Sequence, residues 1–409
     1  MKPYQRLLFF LCLCLGVLSA GSLACAATIP SSSAVPTMVD NDATTRKAYD
    51  HFYNLEYDKA IKEFETAQAA HPDDPFATNH LLGAVVFHEL YRIGALDTES
   101  YAADGFLTKK LAAPLDPATR DRVKQLTDLA LSQSQAQLDK NPNDVNALYA
   151  RSSTRAVNAT YVGVATHAWI TALRSAVAAR HDSERVLELD PNYIDAKVTL
   201  GTHLYIVGSL SWPVKVAASV AGLSGNKQKG LDDLRDGTKS PHIEVATDAK
   251  IILALFLRRE QRYAEALQIV NGLQTQFPRN FLMATEYAFL LNAAGHGQEA
   301  IVAYRKVLAG CHNNTLNGCR VEIPAYGLGE SLRGQRQYAE AAEAYELAAT
   351  NSKDPDLKQK AMLSAGQMYD VMQKRNTALE KYKMVIAENS GSNSADLARH
   401  YMKQPYKTP

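Results

Sequence analysis

The sequence predicts an all-α chain of stacked antiparallel helix pairs, and three observations lead there. From Thr247 to Asn314 one pattern is written twice at a spacing of about 34 residues: Ala254, Leu257, Ala266, Val270 and Leu273 return as Ala288, Leu291, Ala300, Tyr304 and Val307. Within each copy, small and apolar residues recur at helical intervals in two runs. Arg258 to Arg262 separates the runs in one copy and Asn292 to Gly297 in the other, so each copy reads as helix, short turn, helix. The third observation extends over the chain: Pro72, Pro142, Pro191 and Pro278 are each followed, about ten residues on, by a small residue, namely Gly83, Ser152, Gly201 and Ala288. Small residues at helix centres let two antiparallel helices approach closely.

Composition fits such a stack. With 46% hydrophobic and 21% charged residues the chain can bury a continuous core, and a pile of helix pairs grows without enlarging any single core. The formal net charge of +1 moves to about −1 if Lys2 and Arg6 are removed, and no basic cluster points to nucleic acid.

Residues 1–26 differ from the rest. Lys2 and Arg6 precede the apolar run Leu7 to Leu18, then small residues and Ala24-Cys25-Ala26, the form of a secretory signal peptide cut after Ala26. A competing reading makes Cys25 a lipidation site, although Ser22 stands where such signals carry Leu. No other run is long and apolar enough for a membrane helix, so the mature chain is expected to be exported, periplasmic or attached to the cell envelope. Cys311 and Cys319 would then sit in an oxidising compartment and are expected to form a disulfide. So small a loop would stabilise by roughly 2 to 3 kcal/mol on a chain-entropy argument.

In order, residues 27–42 read as a flexible leader, 43–245 as irregular helical repeats, 246–393 as regular ones, and 394–409 as a capping helix with a loose tail. Tyr57, Ala60, Phe64, Ala67 and Pro72 make the first pair's second helix. Tyr91 to Thr119 holds Gly94, Gly105, Pro114 and Pro117 and reads as a loop before a helix from about Arg120 to Leu138. Asn143 to Val164 and Thr166 to Leu189 form the next pair. An insert, 205–240, follows: Pro213 fits the first turn of a helix, Gly222 and Gly225 end it, and Lys227 to Asp236 supplies another. Leu328-Gly329, Tyr338, Ala341, Tyr345 and Ala348 belong to the next regular unit, and Gly366, Ala378, Tyr382 and Val385 to the last.

These residues resemble the tetratricopeptide repeat: the small residue of helix A (Ala254, Ala288), the Ala opening helix B (Ala266, Ala300), its large apolar residue and the closing Pro278 carry the motif. The resemblance implies a right-handed superhelix whose A helices line an inner groove, with partners docking at the second, fifth, ninth and twelfth positions of each repeat. Carried over residue by residue, it gives Arg258, Phe289, Asn292, Tyr326, Glu330 and Arg333 as partner-binding candidates. Their mix of aromatic, amide and charged groups suits an extended peptide or another protein. A competing reading packs the apolar groove positions Leu255, Leu282 and Phe289 between repeats. The Lys/Asn/Arg clamp with which some of these proteins hold a C-terminal carboxylate is only partly matched by Arg258 and Asn292.

No catalytic set emerges. His80 and His88 could share a helix face, but His88-Glu89 lacks the second His of a zinc-protease motif. Ser224 lacks a full nucleophile elbow, and Gly327-Leu328-Gly329 follows no strand. The expectation is a non-enzymatic scaffold without cofactor or metal that binds a protein or peptide partner through its groove in the cell envelope. A cell-wall glycan module using Tyr326 and Phe289, an accessory subunit of an envelope enzyme or secretion complex, and peripheral membrane contact through Trp212 are the alternatives.

Overall fold

A computed structural model describes residues 42–96, 113–210, 212, 215 and 223–408. The signal peptide, nearly all of the leader, most of the expected loop after Tyr91 and nearly all of the helix expected from Pro213 lie outside the described residues. Among the described residues the structure is helical, with one isolated bridge between Asn280 and Asn317 and no strand. Its contacts divide it into two compact units.

The first unit gathers Glu63–Val86 and Ala118–Phe256 with the first described residues. Its own helices are α4 (Pro117–Lys140), α5 (Val145–Val164), α6 (Trp169–Leu189), α7 (Ala196–Gly208) and α8 (Lys227–Gly237). Pro117 opens α4 at its first turn, where a missing N–H costs nothing, so the helix begins before the Arg120 expected from sequence. Asp144 caps α5 by accepting from the N–H groups of Asn146 and Ala147, both at 3.0 Å. Phe76, Leu138, Leu148, Tyr149 and Val186 form its core. A polar seam joins α5 to α6: Ser152 donates to the Ala179 carbonyl at 2.8 Å, and Arg151 meets Asp182 at 2.8 Å. His167 adopts φ 54° between them, which delays α6 to Trp169 rather than Thr166. The expected helix from Lys227 is present as α8, and it crosses α7 at two glycines. A Cβ on Gly201 would lie 2.8 Å from the Gly230 carbonyl oxygen, and one on Gly230 2.6 Å from that of Gly201. Only two residues without side chains allow that approach.

The second unit gathers Lys47–Lys62, Phe87–Pro117 and Leu257–Pro409. Two helices near the start of the chain, α1 (Ala43–Tyr53) and α2 (Tyr57–Ala70), supply its first hairpin turn, and α3 (Pro75–Arg92) supplies Phe87 onward. α9 (Ile243–Arg259) belongs to the first unit as far as Phe256, and its last turn, from Leu257, leads into α10 (Tyr263–Gln276) of the second. Helix pairs follow: α11 (Phe281–Ala293) with α12 (Gly297–His312), α13 (Glu322–Gly334) with α14 (Tyr338–Asn351), and α15 (Pro355–Val371) with α16 (Arg375–Glu388). α17 (Asn393–Lys403) follows and packs on α16.

The repeat is visible in the packing of rings on glycines. A Cβ on Gly329 would lie 2.6 Å from the Tyr345 ring, and one on Gly366 2.6 Å from that of Tyr382. Both tyrosines are fully buried, so the small residue of helix A is the seat of the aromatic of helix B. It is visible again in the A-to-B turns, each of which places one residue in the left-handed region: Leu55, Gln261, Gly295, Arg336 and Gln373. The next N–H reaches back to close a Schellman motif, as Arg262 to the Leu257 carbonyl at 2.8 Å and Lys374 to that of Tyr369 at 2.9 Å.

Candidate functional site

The turn hydrogen bonds fix the register of the A helices. The left-handed residue donates its N–H to the carbonyl of Arg258 (3.0 Å), Asn292 (3.1 Å), Arg333 (3.0 Å) and Asp370 (2.9 Å) in successive repeats. These four residues therefore hold one equivalent position at the end of helix A. The first three are groove candidates from sequence; Asp370 was not. It stands four residues beyond Gly366 as Arg333 stands beyond Gly329, so counting from the glycine would have found it.

The candidates do not form one open surface. Arg258 is 4% exposed: its guanidinium pairs with the buried carboxylate of Glu286 and lies 3.7 Å from the centre of the Phe289 ring. Arg258 thus covers one face of the Phe289 ring, and its guanidinium is buried. Asn292 is half-buried.

Further along, Tyr326, Glu330 and Arg333 are brought together. Glu330 accepts from Arg333 at 2.7 Å and from the Tyr345 hydroxyl at 2.6 Å. The Tyr326 ring lies 5.4 Å from that of Tyr345 and carries the Lys360 ammonium at 4.6 Å. Burial, with Glu330 alongside, raises the Tyr326 phenol above its ordinary range, so it stays a neutral donor. Arg333 and Glu330 keep 36% and 30% of their side chains exposed, which makes them the most accessible charges of the candidate set.

Asp370 closes this surface. Its carboxylate is fully buried and accepts from Arg375 at 2.8 and 3.0 Å, from the Tyr382 hydroxyl at 2.8 Å and from the backbone N–H of Tyr406 at 2.9 Å. The segment after α17 thus reaches the ends of the A helices.

A second network lies in the same unit, and no sequence signal announced it. The expected disulfide is formed, with Cα atoms of Cys311 and Cys319 5.6 Å apart, and its loop carries Asn317 and Gly318. Asn317 donates to the Asn54 carbonyl at 2.9 Å, and the Tyr91 hydroxyl bonds the Gly318 carbonyl. The fully buried Asn54 accepts from the Arg279 N–H at 3.0 Å, and Asn280 donates to the Tyr53 carbonyl at 2.6 Å. The Arg279 guanidinium reaches Asp50 and Glu56, each at 3.0 Å. Burial would push Glu56 up, but hydrogen bonds from Lys59, His51 and Arg279 outweigh it and hold the carboxyl at about 2.

His80 packs against Phe64 at 5.8 Å and His88 stacks on Tyr57 at 5.4 Å, both as aromatic neighbours. Among the described residues no cluster of His, Cys, Asp or Glu is placed to hold a metal, and no helix is long and apolar enough to cross a membrane.

Antiparallel helix pairs, a small residue in helix A seating an aromatic of helix B, and a Schellman turn between them define a tetratricopeptide-like helical repeat protein. Among solved structures, PilF of Pseudomonas aeruginosa is similar at 17% identity and a TM-score of 0.37, over 56% of this chain and 90% of that one. Yeast Tom70 is similar at 14% identity and a TM-score of 0.39, over 88% and 94% of the two chains. The hetero-tetramer Cut9–Hcn1 gives 11% identity and a TM-score of 0.46, with 90% of this chain matched to 56% of that one. At TM-scores below 0.5 these likenesses carry no argument of their own, and the repeat assignment stands on the helix pairs. No family model and no curated protein matches the sequence.

Proposed function

We propose that this protein is an exported, non-enzymatic scaffold that binds a protein or peptide partner in the cell envelope through the A-helix surface of its last repeats. One observation carries the reading: Tyr326, Glu330 and Arg333, with Lys360 above the Tyr326 ring, present aromatic and charged groups together on a rigid support, half-exposed. Aromatic and guanidinium groups on a preformed surface are what protein recognition uses most. Export rests on the basic start, apolar run and Ala-Cys-Ala of the first 26 residues. The glycan reading is less favoured, because Arg258 already covers one face of Phe289, one of the two rings it needs.

The test is in-cell cross-linking of the tagged protein followed by capture from the envelope fraction, comparing the natural sequence with Arg333→Glu plus Tyr326→Ala. Capture of a defined protein by the first and its loss by the second, at equal helicity, supports the reading. Identical partners with both would move binding off this surface.

A further inference from the structure

The segment after α17 rests on the A-helix surface through one residue. Tyr406 is half-buried while Lys403, Gln404, Pro405, Lys407 and Thr408 are exposed. Its ring packs on the core cluster that contains Leu328, Leu332 and Met368, and meets the Tyr401 ring edge-on at 5.3 Å. Its N–H finds the Asp370 carboxylate at 2.9 Å. That acceptor is held from its other sides by Arg375 and Tyr382. Arg375 also donates to the carbonyls of Tyr401 at 2.8 Å and Met402 at 2.7 Å, and so fixes where the chain leaves α17. Tyr406 engages the surface with a ring and a main-chain N–H, groups that any extended peptide bearing a tyrosine can offer.

We propose that the surface formed by Asp370, Arg333 and the ring cluster beside them is a docking site for an extended peptide segment carrying a tyrosine, and that Tyr406 occupies it in cis as a displaceable competitor. The inference rests on the reading of this surface as the partner-binding one and names the ligand chemistry it takes. An intramolecular contact on a short tether acts at an effective concentration in the millimolar range, so one ring and one hydrogen bond suffice to hold a weak site closed. A partner then sees an affinity reduced by the fraction of molecules that are open.

The experiment titrates a fluorescein-labelled synthetic peptide of residues 402–408 into the full chain and reads anisotropy. Tyr406→Ala is expected to bind the peptide about tenfold tighter than the natural chain. Tyr406→Phe, which keeps ring and N–H, should exclude the peptide as the natural chain does, and a peptide with Ala for its tyrosine should bind neither. The proposal is overturned if folded Tyr406→Ala takes no more peptide than the natural chain, or if the natural chain already binds it as tightly. A Tyr406→Ala chain that binds the peptide but captures no envelope protein leaves the docking site standing and removes the function proposed above. One that captures envelope protein through Arg333 yet ignores the peptide does the reverse.

Discussion

The guanidinium of Arg258 lies 3.7 Å from the centre of the Phe289 ring while pairing with the carboxylate of Glu286, and the pair is buried. A buried ion pair contributes little net stability over an apolar one, but losing one partner strands the other. Arg258→Ala should therefore cost about 3–5 kcal/mol in urea unfolding. Arg258→Met combined with Glu286→Leu should recover most of the loss. Equal losses in the single and double variants would remove the pair as the cause.

The left-handed turn residues carry a conformational cost that one turn avoids. Gly295 adopts φ 90° without strain, whereas Gln261, Arg336 and Gln373 adopt φ 58°, 60° and 60° with side chains attached. A left-handed residue other than glycine costs roughly 1–2 kcal/mol, offset in part by the entropy glycine loses on folding. Arg336→Gly and Gln373→Gly should each raise the unfolding free energy by about 0.5–1 kcal/mol, and Gly295→Ala should lower it by a similar amount. Denaturant midpoints at unchanged m-value provide the measurement.

Much of this repeat logic was legible in the sequence. Helix pairs could be read because the A-helix small residue and the B-helix aromatic recur, and the structure shows why they must: Tyr345 and Tyr382 lie directly on Gly329 and Gly366. α8 was legible as Lys227 to Asp236 following Gly222 and Gly225, and the structure adds the Asn226 side chain that caps it. The burial of Arg258 was not, because it depends on Glu286 in the next repeat, and a periodic pattern assigns positions without assigning pairs. Asp370 was missed only because the register was not carried past α13. The docking of Asn54 on Arg279 and Asn317 left no trace, since no periodicity connects residues so far apart in the chain.

Acid should weaken the first unit through His203. Burial lowers its imidazole to about 4, with Arg180 nearby acting in the same direction and Glu184 partly opposing. Above the unfolded value of about 6.5 neither state is protonated there. As pH falls from that value towards the folded one, only the unfolded chain takes up the proton. Stability is then lost progressively, by on the order of 3 kcal/mol at the limit, and no further loss comes from this group below it. Unfolding at pH 7 and at pH 4.5 should show His203→Leu losing clearly less than the natural chain. An identical loss in both would show that the histidine does not set this slope.

Asn54 joins three chain segments of the second unit. It accepts from the Arg279 N–H, donates to the Asp50 carbonyl at 2.8 Å, and its own carbonyl receives Asn317 from the disulfide loop. Removing its amide takes the side-chain acceptor from the Arg279 N–H, which costs about 1–3 kcal/mol, while the Asp50 carbonyl still accepts from the Asn54 backbone N–H at 3.1 Å. Asn54→Ala should destabilise by about 1–3 kcal/mol, and hydrogen exchange should quicken at Arg279. Reducing the Cys311–Cys319 disulfide should quicken exchange at Asn317 while leaving α15 and α16 protected, because that disulfide closes only the loop that presents it. Acid tests the same junction with a definite sign. Glu56 has its folded pKa depressed to about 2, so its contribution is complete above about 4.5 and is lost as pH falls from there towards 2. Arg279→Met should reduce that acid-dependent loss without abolishing it, since it removes the cation that Glu56 shares with Asp50 and leaves Lys59 and His51 in place. If Arg279→Met kept the full loss between those pH values, Lys59 and His51 alone would be holding the Glu56 carboxylate.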